Sequence, residues 1–187
     1  MFHKKTEIEK ADLLGERFVG AVPEIAAFLL SEISKMQPDI AFKDEKGPGQ
    51  FAIELYVFYF HMLDRLAFLH LGEEGREIFA NRLIEVVTHS LILTKNNEWS
   101  DLDFAAEMQS TYNQRQLEYA NYKELIPPKD KPLKGTLIWE FSKNLFELLV
   151  SSNPAILGLL SLIVSDCTIT FLTKALRAGS PTYRAFH

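Results

Sequence analysis

Four residues on one predicted helix could do chemistry together. They lie in the stretch "ELYVFYFHMLDRLAFLHL", residues 54–71, which is otherwise apolar and aromatic. At about 100° per residue, Glu54, His61 and Arg65 fall within roughly 40° of one line along the helix, with Asp64 roughly 60° to one side of His61. A carboxylate beside an imidazole can orient it, raise its basicity or share a metal ion with it. His61 can reach Asp64 at i+3 or Arg65 at i+4. Glu54, His61, Asp64 and Arg65 are therefore the candidate ligand-binding residues. The plainer reading of the same pattern is a mostly buried helix showing one wet edge, on which Asp64 and Arg65 pair with charges of adjacent helices and fix their register. His70 projects to the opposite side, with Tyr56 and Tyr59, and reads as a core or boundary histidine.

A metal reading needs more donors. Glu85 and His89, spaced i+4 on the next helix, could face Glu54 and His61 across a helix pair. Di-iron bundles use Glu-x-x-His on two helices, and that motif is absent from the chain. Glu85 also shares a polar face with Glu74, Glu77, Asn81 and Thr88. Nucleophile and phosphate-cradle motifs are missing as well. Cys167 is the single cysteine; it has no basic neighbour to lower its pKa and excludes an intrachain disulfide or a multi-cysteine metal site.

The elements that must position these residues are helices. Apolar positions recur at three and four, and Gly and Pro cluster between the periodic stretches. The pattern predicts an all-α, single-domain bundle over 1–187, with about six mostly antiparallel helices, a flexible N-terminus over 1–5 and an irregular tail over 180–187. A first helix spans about 6–35, with Leu14, Phe18, Val22, Ile25, Leu29 and Ile33 inward and a kink or break near Pro23. A second covers about 50–71, stopped by Gly72, and a third about 73–95. Ser100 caps a fourth that reaches about 125, on which Ala105, Met108, Tyr112, Tyr119 and Tyr122 mark a face that either packs within the domain or meets a partner or a second copy of the chain. The fifth covers about 136–152, with Glu140, Lys143, Asn144, Glu147 and Ser151 as its polar face. Asn153 caps the sixth, and Pro154 opens it. Its Gly158, Ser161, Ser165 and Thr168 fall on one line, a spacing that permits close packing. Asp166 is expected to reach solvent or to meet a basic group such as Arg65 or Arg177.

Composition narrows the function classes. Apolar residues make up 47% of the 187, charged ones 24%, and the formal net charge is −5. That charge argues against a nucleic-acid footprint, which needs clustered Lys and Arg. The run "PAILGLLSLIV", residues 154–164, is short of the roughly twenty apolar residues that span a bilayer, and Ser165, Asp166 and Thr168 follow at once. No membrane span and a cytoplasmic location are therefore expected. The residues name no cofactor. They suit a non-enzymatic binding module for a protein partner, a second copy of the chain or a small apolar ligand. The rival is a metal-binding protein or metal-dependent enzyme built on the carboxylate and histidine cluster.

Overall fold

The computed structural model describes residues 7–94, 101–122, 124–125 and 131–177. Among them the helices are α1 (Glu7–Met36), α2 (Gly47–Thr94), α3 (Asp101–Tyr119), α4 (Leu137–Glu147) and α5 (Pro154–Arg177). Gly72 divides α2 into two segments, because its φ of 72° and ψ of −174° lie far outside helical values. Only glycine occupies that region without strain. Six helical segments thus form an all-α bundle, as periodicity and the stop at Gly72 predict. The flexible N-terminus, the Ser100 cap, the end of the third helix near 95 and the tail over 180–187 fall outside the described residues.

Two compact units share these helices. One comprises Met1–Ala21, Phe60–Glu107 and Thr170–His187; the other comprises Val22–Tyr59 and Met108–Ile169. In the first, Ala11, Phe18, Phe60, Leu63, Ala67, Phe79, Leu83 and Val87 are buried, and the Phe18 and Phe171 rings lie 6.0 Å apart. Gly15 lets α1 approach α2 there: a Cβ at that position would sit 2.7 Å from Val86 Cγ1. In the second unit, Phe58 stacks on Phe141 at 4.0 Å and 6° and meets Tyr119 edge-on at 6.1 Å, which ties α2 to α3 and α4. Aromatic contacts of this kind add roughly 1 kcal/mol each beyond area burial.

Pro23 lies inside α1, which continues through it from Glu7 to Met36. The proline is exposed, so the backbone donor it removes is lost on the solvent side, where it matters least. The boundary between the two units falls beside it, between Ala21 and Val22. Of the predicted inward positions, Phe18, Val22, Leu29 and Ile33 are fully buried, and Ile25 is half-buried.

Three element limits differ from the sequence expectation. α2 starts at Gly47 rather than Gln50, since Pro48 is tolerated in a first turn, where a backbone N–H has no intrahelical acceptor. α3 stops at Tyr119 rather than near 125. α4 stops at Glu147 rather than 152, because the following residues find another partner. Lys43 N donates to Leu148 O at 3.0 Å and Val150 N to Ala41 O at 2.8 Å, forming an isolated antiparallel bridge between Phe42 and Leu149. The start of α4 is as expected: Thr136 Oγ1 accepts from Trp139 N at 3.3 Å, the geometry of an N-cap.

α5 also begins as its sequence predicts, with Asn153 Oδ1 accepting from Ala155 N at 3.0 Å ahead of the first turn. Its apolar character outlasts the eleven-residue run. Pro154–Thr173 is 20 residues long with a mean hydropathy of 2.0, long and apolar enough to cross a membrane, and 33% of that stretch is buried. Ile156, Leu160, Val164, Ser161 and Thr168 form its inner side, while Leu162 and Ile169 are exposed. Asp166 is exposed too, the first of its two expected outcomes. Gly158 has open space where a Cβ would stand, so close helix approach is not what its small size serves.

Candidate functional site

The polar face of α2 does not look at water. Glu54 is 7% exposed, His61 4% and Asp64 5%, with Arg65 half-buried. The wet-edge reading is therefore corrected: the stripe is buried. Glu54 belongs to the second compact unit, and His61, Asp64 and Arg65 belong to the first. Of the four, Asp64 and Arg65 share a pocket.

Glu54 is held by Arg115 of α3. Arg115 Nε donates to Glu54 Oε1 and Oε2 at 3.0 Å each, and Nη2 donates to Oε1 at 2.6 Å. Nη1 donates to Glu118 Oε2 at 2.6 Å. Asn144 Nδ2 lies 3.5 Å from Glu118 Oε2 and 3.4 Å from the Tyr119 hydroxyl. Asn144 is buried in this cluster, although helical spacing puts it on the polar face of the fifth predicted helix. Burial pushes the Glu54 carboxyl above its ordinary value; the Arg115 bonds and charge pull it back, and Glu118 and Glu147 add repulsion. Burial works against the charged Arg115, but its bonds and charge pairing with Glu54 and Glu118 hold it above the ordinary range. Burial, with the Glu54 charge behind it, raises the Tyr119 phenol well above normal. A carboxylate gripped from two sides by a permanent cation is a structural anion, a poor general base and a poor metal ligand.

Asp64 is held the same way in the other unit. Arg76 Nε donates to Oδ1 and Nη2 to Oδ2, both at 2.8 Å. Arg76 lies beyond the Gly72 bend, so the pair joins the two segments of α2. Beside it, Asp64, Arg65, Phe68, Leu69 and Arg76 line a pocket of about 310 Å³. Burial lowers the Arg65 guanidinium from its usual range, and the Asp64 charge partly offsets that. Phe68 is 52% exposed and Leu69 74%.

The second donor pair stands apart. Glu85 and His89 are exposed, and Glu85 accepts from Arg82 Nη1 at 2.9 Å, while Arg82 Nε donates to Asp12 at 2.6 Å. No group of three or more His, Cys, Asp and Glu side chains that could hold a metal ion occurs among the described residues. Cys167 is half-buried, and burial followed by the Asp166 charge pushes its thiol up, away from the reactive thiolate.

Sequence reasoning missed both arginines that complete these clusters. Arg115 carried a usable signal: Met108, Tyr112, Arg115 and Tyr119 step by four, three and four, so an arginine interrupts an inward-facing stripe. Arg76 carried none, because it lies twelve residues from Asp64 across a bend whose angle the sequence does not state.

No protein-family model, no curated protein and no solved structure matches the chain.

Proposed function

We propose that the protein acts by binding, as a helical module whose site is the pocket at the bend of α2. The observation that carries this reading is the lining of that pocket. Two arginines, one buried carboxylate and two exposed apolar side chains converge on about 310 Å³ of space, a volume near the lower end of small-ligand pockets. The acidic groups that catalysis would need are each held by an arginine: Glu54 by Arg115 and Asp64 by Arg76. Two acids held in arginine forks support a structural use more than acid–base turnover.

Amide and methyl chemical-shift mapping of the full chain against a library of small amphipathic compounds tests the proposal. The expected result is saturable shifts centred on Asp64, Arg65, Phe68, Leu69 and Arg76. A library that perturbs none of these five, or whose saturable shifts centre on other residues, removes the pocket from consideration.

A further inference from the structure

Helix α5 has an apolar outer side as well as an apolar inner one. With Leu162 as the reference and about 100° per residue, Ala155, Gly158, Leu159, Ser165, Asp166 and Ile169 all fall within roughly 60° of it. Leu162 is 62% exposed and Ile169 49%, and Ala155 and Asp166 are exposed as well. The buried residues of the same stretch, Ile156, Leu160, Ser161, Val164 and Thr168, lie about 100° or more away. A solvated helix face is built mainly from charged and polar side chains, and this one carries a single charge. Over Pro154–Thr173, at a mean hydropathy of 2.0, 33% of the stretch is buried. The chain's own core therefore accounts for only part of the helix's apolar character.

We propose that this face is an interface between two copies of the chain, an antiparallel α5–α5 pair with Leu162 at its two-fold centre. The face shares no residue with the pocket at the bend of α2. Its residues are placed symmetrically about Leu162: Ala155 and Ile169 seven positions to either side, Gly158 and Asp166 four. A two-fold pairing of one patch with itself then sets Leu162 against Leu162 and the bulk of Ile169 at the level of the small Ala155. Asp166 comes to the level of Gly158, where a Cβ would meet nothing within 4 Å, so the carboxylate has room to keep its water. Charge chooses the direction of the pair. Parallel helices would stack Asp166 on Asp166 in an apolar seam, whereas the antiparallel pair holds them about 12 Å apart along the axis. The arc and the length of about 21 Å give on the order of 600 Å² buried in total, below the roughly 1,000 Å² of a stable complex. The dimer is therefore reversible and forms as concentration rises. A lipid surface fits the face less well, since residues 154–169 contain no Lys or Arg to meet headgroups.

Sedimentation equilibrium of the full chain from about 10 µM to about 1 mM, the range of weak complexes, tests this. The weight-average mass is expected to climb from that of the 21.4 kDa monomer toward twice that value. Leu162→Lys and Ile169→Lys, both at exposed positions, are each expected to weaken the dimer at least about ten-fold, because the two-fold axis makes every change count twice. Unchanged far-ultraviolet circular dichroism of the two variants checks that the fold is kept. Cysteine cross-linking in a Cys167→Ser background reads the register. Leu162→Cys is expected to give a disulfide-linked dimer on mild oxidation, and Asp166→Cys, about 12 Å from its counterpart along the axis, is not. A mass that stays at 21.4 kDa to the top of the range overturns the interface; if that monomer also binds phosphatidylcholine vesicles and Leu162→Lys abolishes the binding, the face belongs to lipid instead. A dimer that both lysine variants leave intact is built on another surface and overturns the proposal too. Linking of Asp166→Cys as readily as Leu162→Cys overturns the antiparallel register.

Discussion

Asp64 and Arg76 grip each other through two parallel hydrogen bonds of 2.8 Å from opposite sides of Gly72. Asp64 is buried, and the Arg76 side chain is 38% exposed. Removing the arginine alone strands a buried carboxylate. Arg76→Gln is therefore expected to destabilise the fold by roughly 2 kcal/mol, below the 3–5 of a fully buried pair because Arg76 is partly solvated. The double variant Asp64→Asn/Arg76→Gln is expected to be more stable than Arg76→Gln alone. Urea unfolding of the four-member cycle measures this, and simple additivity would mean that the pair does not couple.

The bend itself depends on glycine. At a φ of 72° and a ψ of −174°, an alanine is strained even though a Cβ at Gly72 meets nothing within 4 Å. Gly72→Ala is expected to cost about 1–3 kcal/mol. An unchanged melting temperature would show that the backbone relaxes out of this conformation freely.

Two glycines of α1 should respond in opposite directions. Gly20 has open space around its Cβ position, so Gly20→Ala is expected to stabilise by about 0.5–1 kcal/mol through helix propensity. Gly15→Ala would place its Cβ 2.7 Å from Val86, and an overpacking cost of about 1–3 kcal/mol then exceeds the same propensity gain. Thermal melts of the two variants beside the parent decide it. A stabilised Gly15→Ala would contradict the close approach.

The buried Glu54–Arg115 pair gives stability a pH dependence of unusual sign. The Glu54 carboxyl is raised above its ordinary 4.5 by burial. Its ionisation therefore subtracts from stability. The loss is absent below about 4.5 and grows as pH rises through the folded-state value. Arg115→Gln removes the group that opposes this rise. It is expected to cost about 3–5 kcal/mol at neutral pH, and the deficit against the parent should shrink as pH falls toward 4.5. Urea unfolding across that range measures the difference. A deficit that stays constant with pH would mean Glu54 does not carry the charge.

Much of the fold was legible because helix limits are written locally. Gly72 ends a periodic stretch, Thr136 caps α4, and Asn153 with Pro154 opens α5, all through contacts within a few residues. One limit that was misread, the end of α4, is set from far away. The stretch after Glu147 leaves the helix to bond residues 41–43, about a hundred positions earlier in the chain. The candidate site shows the same division. That Glu54, His61 and Asp64 share a face follows from helical spacing. That the face is buried follows from the elements packed over it. The arginine each carboxylate chose depends on tertiary approach, at separations of 61 and 12 residues. Of the four residues on that face, Asp64 and Arg65 line one pocket, and Glu54 is held by Arg115. A helix as long as α2 passes from one compact unit to the other between Tyr59 and Phe60.

That interleaving bears on how the chain can be made and cut. Neither unit is a contiguous piece of sequence, for Phe18 meets Phe171 only after residues 22–59 and 108–169 of the other unit have intervened. During synthesis the early helices must wait for α5 before either interior can close. Any fragment spanning Phe18 to Phe171 carries the whole of the second unit with it. A nick in the loop after α3 would leave two pieces that each lack part of both interiors, so complementation by mixing separately expressed halves, rather than excision of a sub-domain, is the form of dissection this topology allows.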